Sequence, residues 1–186
     1  RKRYTILRMK DVLLGKESFI PEKYDASVLS PISRLDSRIK GGLEDFVKNF
    51  EGKDYWTSYE TSWLNEQGIP RNKILNISYS SHSKFFIESK SLKLYLYSLN
   101  NMKFNSEDAI QELIKGDLDK ALKTDVDVEL AAKPRKIEED GVSLDNLEIE
   151  KVDSLPNSLV IEPDDQEAIK ENLSCSLFRS LCPVTA

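Results

Sequence analysis

Histidine and cysteine are scarce in this chain of 186 residues, which has one histidine, His82, and two cysteines, Cys175 and Cys182. A structural zinc site usually takes four such ligands, so we expect no metal centre. We expect His82 to lie on the surface or in a loop. If residues 175–182 form one strand, at about 3.3 Å per residue the cysteines lie beyond the roughly 7 Å Cα separation of a disulfide. Free thiols are typical of a reducing compartment, and we expect a cytoplasmic protein.

Long apolar runs are also missing from the sequence. No stretch approaches the roughly 18–20 apolar residues of a transmembrane helix, and the basic opening RKRYTILRMK has no apolar core of signal-peptide length. The formal net charge is −5, whereas a protein that binds duplex nucleic acid needs a basic face. We therefore expect no membrane partner and no direct nucleic-acid partner, although this charge leaves room for a local basic patch.

Aromatic residues are absent between Phe104 and Phe178. The aromatic core is therefore expected within about the first 130 residues of the chain. The region from about 133 to 172 is acidic and carries three prolines, which is typical of a connector with short strands.

Alternating side chains predict three strands. Residues 53–64, KDYWTSYETSWL, alternate in aromatic and β-branched character, and residues 73–81 are predicted as the hairpin partner. Residues 124–131 alternate again, with Val126 and Val128 facing inward. The alternation in the first strand predicts one face made of Tyr55, Thr57, Tyr59, Thr61 and Trp63.

Helical spacing appears in two stretches. Residues 106–122 place their apolar side chains on one stripe, and Asn105 or Ser106 can cap that helix. The stripe consists of Ile110, Leu113, Ile114, Leu118 and Leu122. The order of hairpin, helix and strand predicts an α+β fold with an antiparallel layer.

The second helical stretch, IESKSLKLYLYSLN (87–100), leaves two interpretations open. Its buried stripe is predicted to consist of Leu92, Tyr95, Leu96 and Leu99. In one interpretation Ser89 caps the helix and Glu88 belongs to a charged first turn. In the other, the carboxylate, hydroxyl and ammonium of Glu88, Ser89 and Lys90 bind a polar heterocycle beside a phosphate-bearing cofactor.

The segment ESKSLKLYLYSLN closely resembles the signature of the QueF family, the NADPH-dependent 7-cyano-7-deazaguanine (nitrile) reductases of queuosine biosynthesis, a tRNA modification. YDASVL (24–29), WTSYETSWLNEQGIP (56–70) and SLCPVTA (180–186) resemble further motifs of its bimodular branch, in the same order.

The resemblance implies a tunnelling fold (T-fold), an α+β unit with an antiparallel sheet and helices packed on one face. Bimodular members carry two such units in tandem. We expect the first unit over residues 1–131, an acidic connector with short strands over 132–164, and the first strand of an incomplete second unit over 165–186.

The resemblance also implies that Cys182 is the catalytic nucleophile, which forms a covalent thioimide with the nitrile before NADPH delivers two hydrides. Strand alternation over 173–182 supports this assignment, because it puts Cys182 in a row of mainly hydroxyl-bearing residues. Cys175 falls in the row of leucines, and we expect it to be buried and inert.

Family pattern further assigns substrate contact to Ile87, Glu88 and Ser89, and NADPH contact to Ser89 and Lys90. A carboxylate can accept hydrogen bonds from the N–H groups of a deazaguanine, and an ammonium can bind a phosphate. Other polar residues of the motif are assigned to the body of the helix: Lys93, Tyr95 and Tyr97.

The family's proton-donor aspartate would lie beyond Ala186, and the second-unit substrate and NADPH residues have no counterpart in this sequence. We therefore expect an N-terminal part of a homodimeric protein, and we expect the 186-residue chain alone to be inactive. Two alternatives stay open. One is a T-fold amine transferase that uses the same cysteine–nitrile adduct without hydride, and the other is a non-catalytic T-fold unit for subunit assembly.

Overall fold

The structure is a computed structural model that describes four ranges of the chain: residues 21–40, 51–136, 141–148 and 170–176. The chain divides into two compact units between Arg135 and Lys136. The sequence-based boundaries at 131/132 and 164/165 stay a prediction. Within the described ranges, no helix combines the length and the apolar character needed to cross a membrane.

The first unit contains strands and helices in mixed order along the chain. Its strands are β1 (Pro31–Ser33), β2 (Lys53–Asn65), β3 (Pro70–Ser80), β4 (Phe85–Ile87), β5 (Lys103–Phe104) and β6 (Val126–Ala131). Its helical segments are a short 3-10 helix (Ala26–Val28), α1 (Arg34–Lys40), α2 (Ser89–Ser98) and α3 (Glu107–Leu122).

A four-stranded sheet in the order β5-β2-β3-β6 forms the centre of this unit. The predicted hairpin is confirmed, since β2 and β3 pair antiparallel, and β6 adds antiparallel to β3. The short β5 runs parallel to β2, so the sheet is not wholly antiparallel as expected. Strands β1 and β4 form a separate antiparallel pair. The α+β class is confirmed, whereas the tunnelling fold itself stays a prediction.

The predicted face of β2 is wrong because the strand contains a β-bulge. Its register with β3 shifts between Ser58 and Thr61, where β2 has one residue more than its partner. The extra residue reverses the alternation, so Trp56 and Ser58 share the core side with Thr61 and Trp63. The other predicted members of that face are exposed instead: Tyr55, Thr57 and Tyr59.

The hydrophobic core lies between one face of the sheet and the two longer helices. The predicted stripes are confirmed, because Leu92, Tyr95, Leu96 and Leu99 of α2 are buried, as are Ile110, Ile114, Leu118 and Leu122 of α3, with Leu113 half-buried. The sheet contributes Leu75, Ile77, Tyr79, Val126 and Val128 to the same cluster. Burial of each large apolar side chain contributes about 1.5–3 kcal/mol, so these stripes fix both helices on the sheet. Of the two predicted caps for α3, Ser106 is confirmed, since its Oγ accepts from the N–H of Ala109 at 3.1 Å.

A tyrosine–aspartate cluster fastens α2 to the segment before β1 and to α3. Oδ2 of Asp117 accepts hydrogen bonds from the hydroxyls of Tyr24 at 2.8 Å and Tyr95 at 2.6 Å. Two serines of α2 add to this attachment, since Oγ of Ser91 accepts from the N–H of Ser30 at 3.0 Å and Oγ of Ser98 accepts from that of Asp25 at 3.3 Å. The segment from Tyr24 to Ser30, which contains YDASVL, is thus bonded along the length of α2.

The second unit, as far as it is described, consists of a short parallel pair of strands, β7 (Val142–Ser143) and β8 (Leu173–Ser174), with a 3-10 helix at Leu144–Asn146. Gly141 has φ +106, and a Cβ there would lie 2.0 Å from the carbonyl oxygen of Asn172, so the position requires glycine.

Cys175 is exposed, and its expected burial is therefore wrong. The strand ends at Ser174, so the alternation assumed over 173–182 does not extend to Cys175. Its thiol donates to Oδ1 of Asp145 at 3.3 Å, while the N–H of Ser176 donates to Oδ2 at 2.8 Å. Residues 177–186, including Cys182, lie outside the described residues.

We predict that the tyrosine–aspartate cluster loses its stabilising effect at alkaline pH. Burial and the neighbouring Asp117 raise the pKa of Tyr24 from 10.0 to about 12, and burial also raises the pKa of Tyr95. Between pH 10 and about 12 the folded chain therefore holds protons that the unfolded chain has lost, so the stabilisation is complete below pH 10 and declines toward pH 12.

Urea unfolding measured across this pH range checks the prediction. Tyr24→Phe and Asp117→Asn should each make the decline in unfolding free energy shallower. An unchanged pH profile in both variants would show that the cluster is not its source.

Candidate functional site

A cavity of about 380 Å³ lies between β2 and α2. The strand contributes the consecutive residues Trp56, Thr57, Ser58, Tyr59 and Glu60, and the helix contributes Ser89, Leu92, Lys93, Leu96 and Tyr97. The volume is near the lower end of the roughly 300–1,000 Å³ of small-molecule pockets, so it suits one ring system or part of a larger ligand.

The strand wall of the cavity coincides with the bulge in β2. The register shift falls between Ser58 and Thr61, and Oγ1 of Thr61 donates to Oγ of Ser58 at 3.1 Å. Tyr59 and Glu60, the two residues of β2 within this register shift, both line the cavity. Tyr59 is 65% exposed, which leaves its ring available to a ligand.

The helix wall begins at a cap that differs from the predicted one. Glu88 is the N-cap of α2, with Oε1 accepting from the N–H of Lys90 at 2.9 Å and Oε2 from that of Ser91 at 2.6 Å. Ser89, the expected cap, is the first helical residue. The carboxylate satisfies two otherwise unpaired backbone donors at once, and its negative charge is attracted to the positive end of the helix.

The predicted binding residues lie together at the start of α2, but in different environments. Ile87 and Glu88 are buried, with 1% and 3% of their surface exposed, and Lys90 is half-buried. Ser89 is exposed and is the member of this group that lines the cavity. The assigned contacts with substrate and NADPH stay predictions for all four residues, as does the role of Cys182.

Sequence reasoning missed most of the cavity. Lys93 and Tyr97 were assigned to the body of the helix, yet both line the cavity, and the Lys93 ammonium lies 5.4 Å from the centroid of the Tyr97 ring. The strand residues were missed because the alternation assumed an unbroken pleat. The available signal was the distinctive stretch at 56–70, whose first five residues form the strand wall.

The cavity combines groups that suit a planar polar ligand with an anionic part. The rings of Tyr59 and Tyr97 offer apolar faces, and the carboxylate of Glu60 can accept N–H donors. The Lys93 ammonium and the Ser89 hydroxyl can donate to an anion.

The comparisons with known proteins all point to the same family. The family model described as "Nitrile reductase, 7-cyano-7-deazaguanine-reductase N-term" matches residues 20–130. The NADPH-dependent 7-cyano-7-deazaguanine reductase of Burkholderia multivorans is 37% identical over 178 residues, which cover 92% of this chain and 65% of that protein. The protein of the same name from Polaromonas sp. is 37% identical over 178 residues, covering 92% and 64%. The chain thus spans somewhat less than two thirds of the length of these relatives.

We predict that Glu88→Ala unravels the first turn of α2, because it leaves the N–H groups of Lys90 and Ser91 without their acceptor. The loss of a helix cap costs about 0.5–2 kcal/mol of unfolding free energy. Urea denaturation gives this free energy, and amide hydrogen exchange at residues 90 and 91 localises the effect. Ser89→Ala is the matched control and should change neither measurement, whereas a larger effect of Ser89→Ala would contradict the assignment of the cap.

Proposed function

Since the chain belongs to the family of 7-cyano-7-deazaguanine nitrile reductases, whose N-terminal region matches residues 20–130, we propose that its protein uses NADPH to reduce 7-cyano-7-deazaguanine to 7-aminomethyl-7-deazaguanine. This reaction belongs to queuosine biosynthesis. In this proposal the first unit is a T-fold, and the protein acts as a cytoplasmic homodimer.

The observation that carries the proposal is the place of the signature segment in the fold. The stretch from Glu88 to Leu99 forms the two caps and the body of α2, and this helix is one wall of the cavity. The second distinctive stretch, which starts at Trp56, forms the other wall. Two segments that resemble family motifs, separate in sequence, therefore meet at one cavity.

The residues at the start of α2 fit an anionic nicotinamide cofactor in charge and hydrogen bonding. NADPH supplies hydride when it is bound. Ser89 can donate its hydroxyl hydrogen to a phosphate oxygen, and Lys90 and Lys93 bring two positive charges to the first half of the helix. The negative charge of Glu88 is offset in part by the two backbone N–H groups that its oxygens accept.

Contact between Glu88 and the substrate would use the remaining capacity of its carboxylate. Each oxygen accepts one backbone N–H, and an ionised carboxylate has about four acceptor sites. The helix thus orients the group and leaves acceptor sites for the N–H donors of a deazaguanine. Because Glu88 is 3% exposed, the heterocycle has to displace neighbouring side chains before it can contact the carboxylate.

Cys182 is proposed as the nucleophile. Its thiolate adds to the nitrile carbon while a proton goes to the nitrogen, which gives a thioimide. Transfer of a hydride to the thioimide carbon and of a proton to its nitrogen, loss of the thiolate to leave an iminium, and transfer of a second hydride to the iminium carbon would then give the amine. In total, one nitrile consumes two NADPH and two protons and yields one aminomethyl group.

The two cysteines provide a matched test of this role in the complete gene product. With 7-cyano-7-deazaguanine and no NADPH, intact-protein mass should rise by the mass of one nitrile in the unsubstituted protein and in Cys175→Ala. Cys182→Ala should show no adduct, and its turnover should fall on the order of 10³-fold or more, as expected when a nucleophile is removed.

Equal turnover in Cys182→Ala and the unsubstituted protein would contradict the proposed nucleophile. An adduct without any NADPH consumption would favour the amine transferase. If the complete gene product showed neither an adduct nor NADPH consumption, the assembly unit would be favoured.

We further predict that the 186-residue chain alone does not consume NADPH with 7-cyano-7-deazaguanine, whereas the complete gene product does. The reason is that the expected acid and the second-unit residues have no counterpart in this sequence. The fall in absorbance of NADPH at equal molar concentrations measures the difference. Nitrile-dependent NADPH oxidation by the 186-residue chain would overturn this expectation.

A further inference from the structure

We propose that Tyr79 is a positioning residue that holds the two walls of the cavity at a fixed separation through its hydroxyl group. Its oxygen accepts the indole N–H of Trp56, in the strand wall, at 3.0 Å. The same oxygen accepts the backbone N–H of Ile87 at 3.2 Å, directly before the cap of α2. One atom of the central strand β3 is therefore bonded to both walls.

The chemistry of the phenol suits this bridging position. Tyr79 is 1% exposed, and burial raises the pKa of its hydroxyl, so the group remains neutral at neutral pH. A neutral phenol oxygen can accept hydrogen bonds while its ring packs in the core. The bond to Ile87 is itself buried, and a backbone N–H that loses its acceptor in such a place is costly.

Arg34 fixes the ring that carries this hydroxyl. Its guanidinium carbon lies 5.8 Å from the centroid of the Tyr79 ring and 5.4 Å from that of Phe86. The guanidinium also pairs with Asp54, and its Nε donates to Oγ of Ser83 at 3.1 Å. With its own position set by these contacts, Arg34 restricts movement of the Tyr79 ring, and the hydroxyl is a stable reference point between the walls.

The bridge acts on the cavity through its two donors. Trp56 lines the cavity directly, and Ile87 determines where Glu88 and Ser89 begin the helix wall. Tyr79→Phe keeps the ring and its packing but removes the oxygen. It therefore removes the hydrogen bonds to both walls without creating a large void. We expect the cavity to lose its fixed width while the core stays packed.

Hydrogen exchange followed by NMR tests the bridge in the 186-residue chain. In the unsubstituted chain, the Trp56 indole N–H and the Ile87 amide should both exchange slowly. Tyr79→Phe should accelerate both by about tenfold or more, the scale of one lost hydrogen bond. Tyr24→Phe is the matched control, because it also removes one tyrosine hydroxyl bonded in the first unit but leaves both donors untouched.

Rapid exchange of either group in the unsubstituted chain would overturn the bridge, even if the Tyr79 variant did not fold. Unchanged exchange at both groups in a folded Tyr79→Phe chain would overturn it as well. These outcomes do not depend on the reaction that the protein performs.

Steady-state kinetics of the complete gene product tests the effect on the cavity, and this part rests on the proposed function. Tyr79→Phe should raise KM for NADPH or for the nitrile about tenfold and change kcat less than about twofold, because the bridge shapes binding. Tyr24→Phe should leave both constants unchanged. Faster exchange with unchanged KM values would overturn the positioning role. An inactive unsubstituted protein would overturn the proposed function instead, and the exchange measurement alone would then test the bridge.

Discussion

The buried carboxylate of Glu88 is the group on which the candidate site depends most. A charge with 3% exposure is tolerated only with good partners, and here both oxygens accept backbone N–H groups from the first turn of α2. This pairing fixes the residue at which the helix begins. With this start, Leu92 and Tyr95 lie in the core and Ser89 lines the cavity. If the sequence moved by one residue along a helix fixed in place, each of these positions would turn by about 100°, since a helix has 3.6 residues per turn.

Helix α2 is also held along its length, which explains how a cavity can persist beside it. Asp117 binds the helix through Tyr95, and two serines bond it to the segment before β1. The facing strand is irregular where it borders the cavity, because the bulge after Ser58 changes the direction of its side chains. The cavity therefore lies between a firmly attached helix and a local departure from regular pleating, and Tyr79 connects the two.

The sequence was sufficient for the features that depend on periodicity. Both long helices have apolar residues at helical spacing, and the hairpin has alternating ones, so local pattern and burial agree. It was insufficient where one residue changes the register. The bulge near Ser58 has no compositional mark, and the assumed alternation therefore assigned the wrong partners to Trp63. The predicted burial of Cys175 was wrong for a related reason. Alternation assigns faces only inside a strand, and β8 ends at Ser174. The prediction of Ser89 as the cap was wrong because serine and glutamate can both stand at a helix start. Only the backbone conformation at Glu88 decides between them.

We propose that ligand binds between β2 and α2. The most direct measurement is a crystal structure of the complete gene product, with Cys182→Ala to prevent turnover, bound to NADPH and 7-cyano-7-deazaguanine. The account predicts ligand density in the cavity lined by Trp56 and Ser89, with a polar ligand atom within hydrogen-bond distance of the Ser89 hydroxyl. Well-ordered density for both ligands elsewhere, with this cavity filled only by solvent, would contradict it.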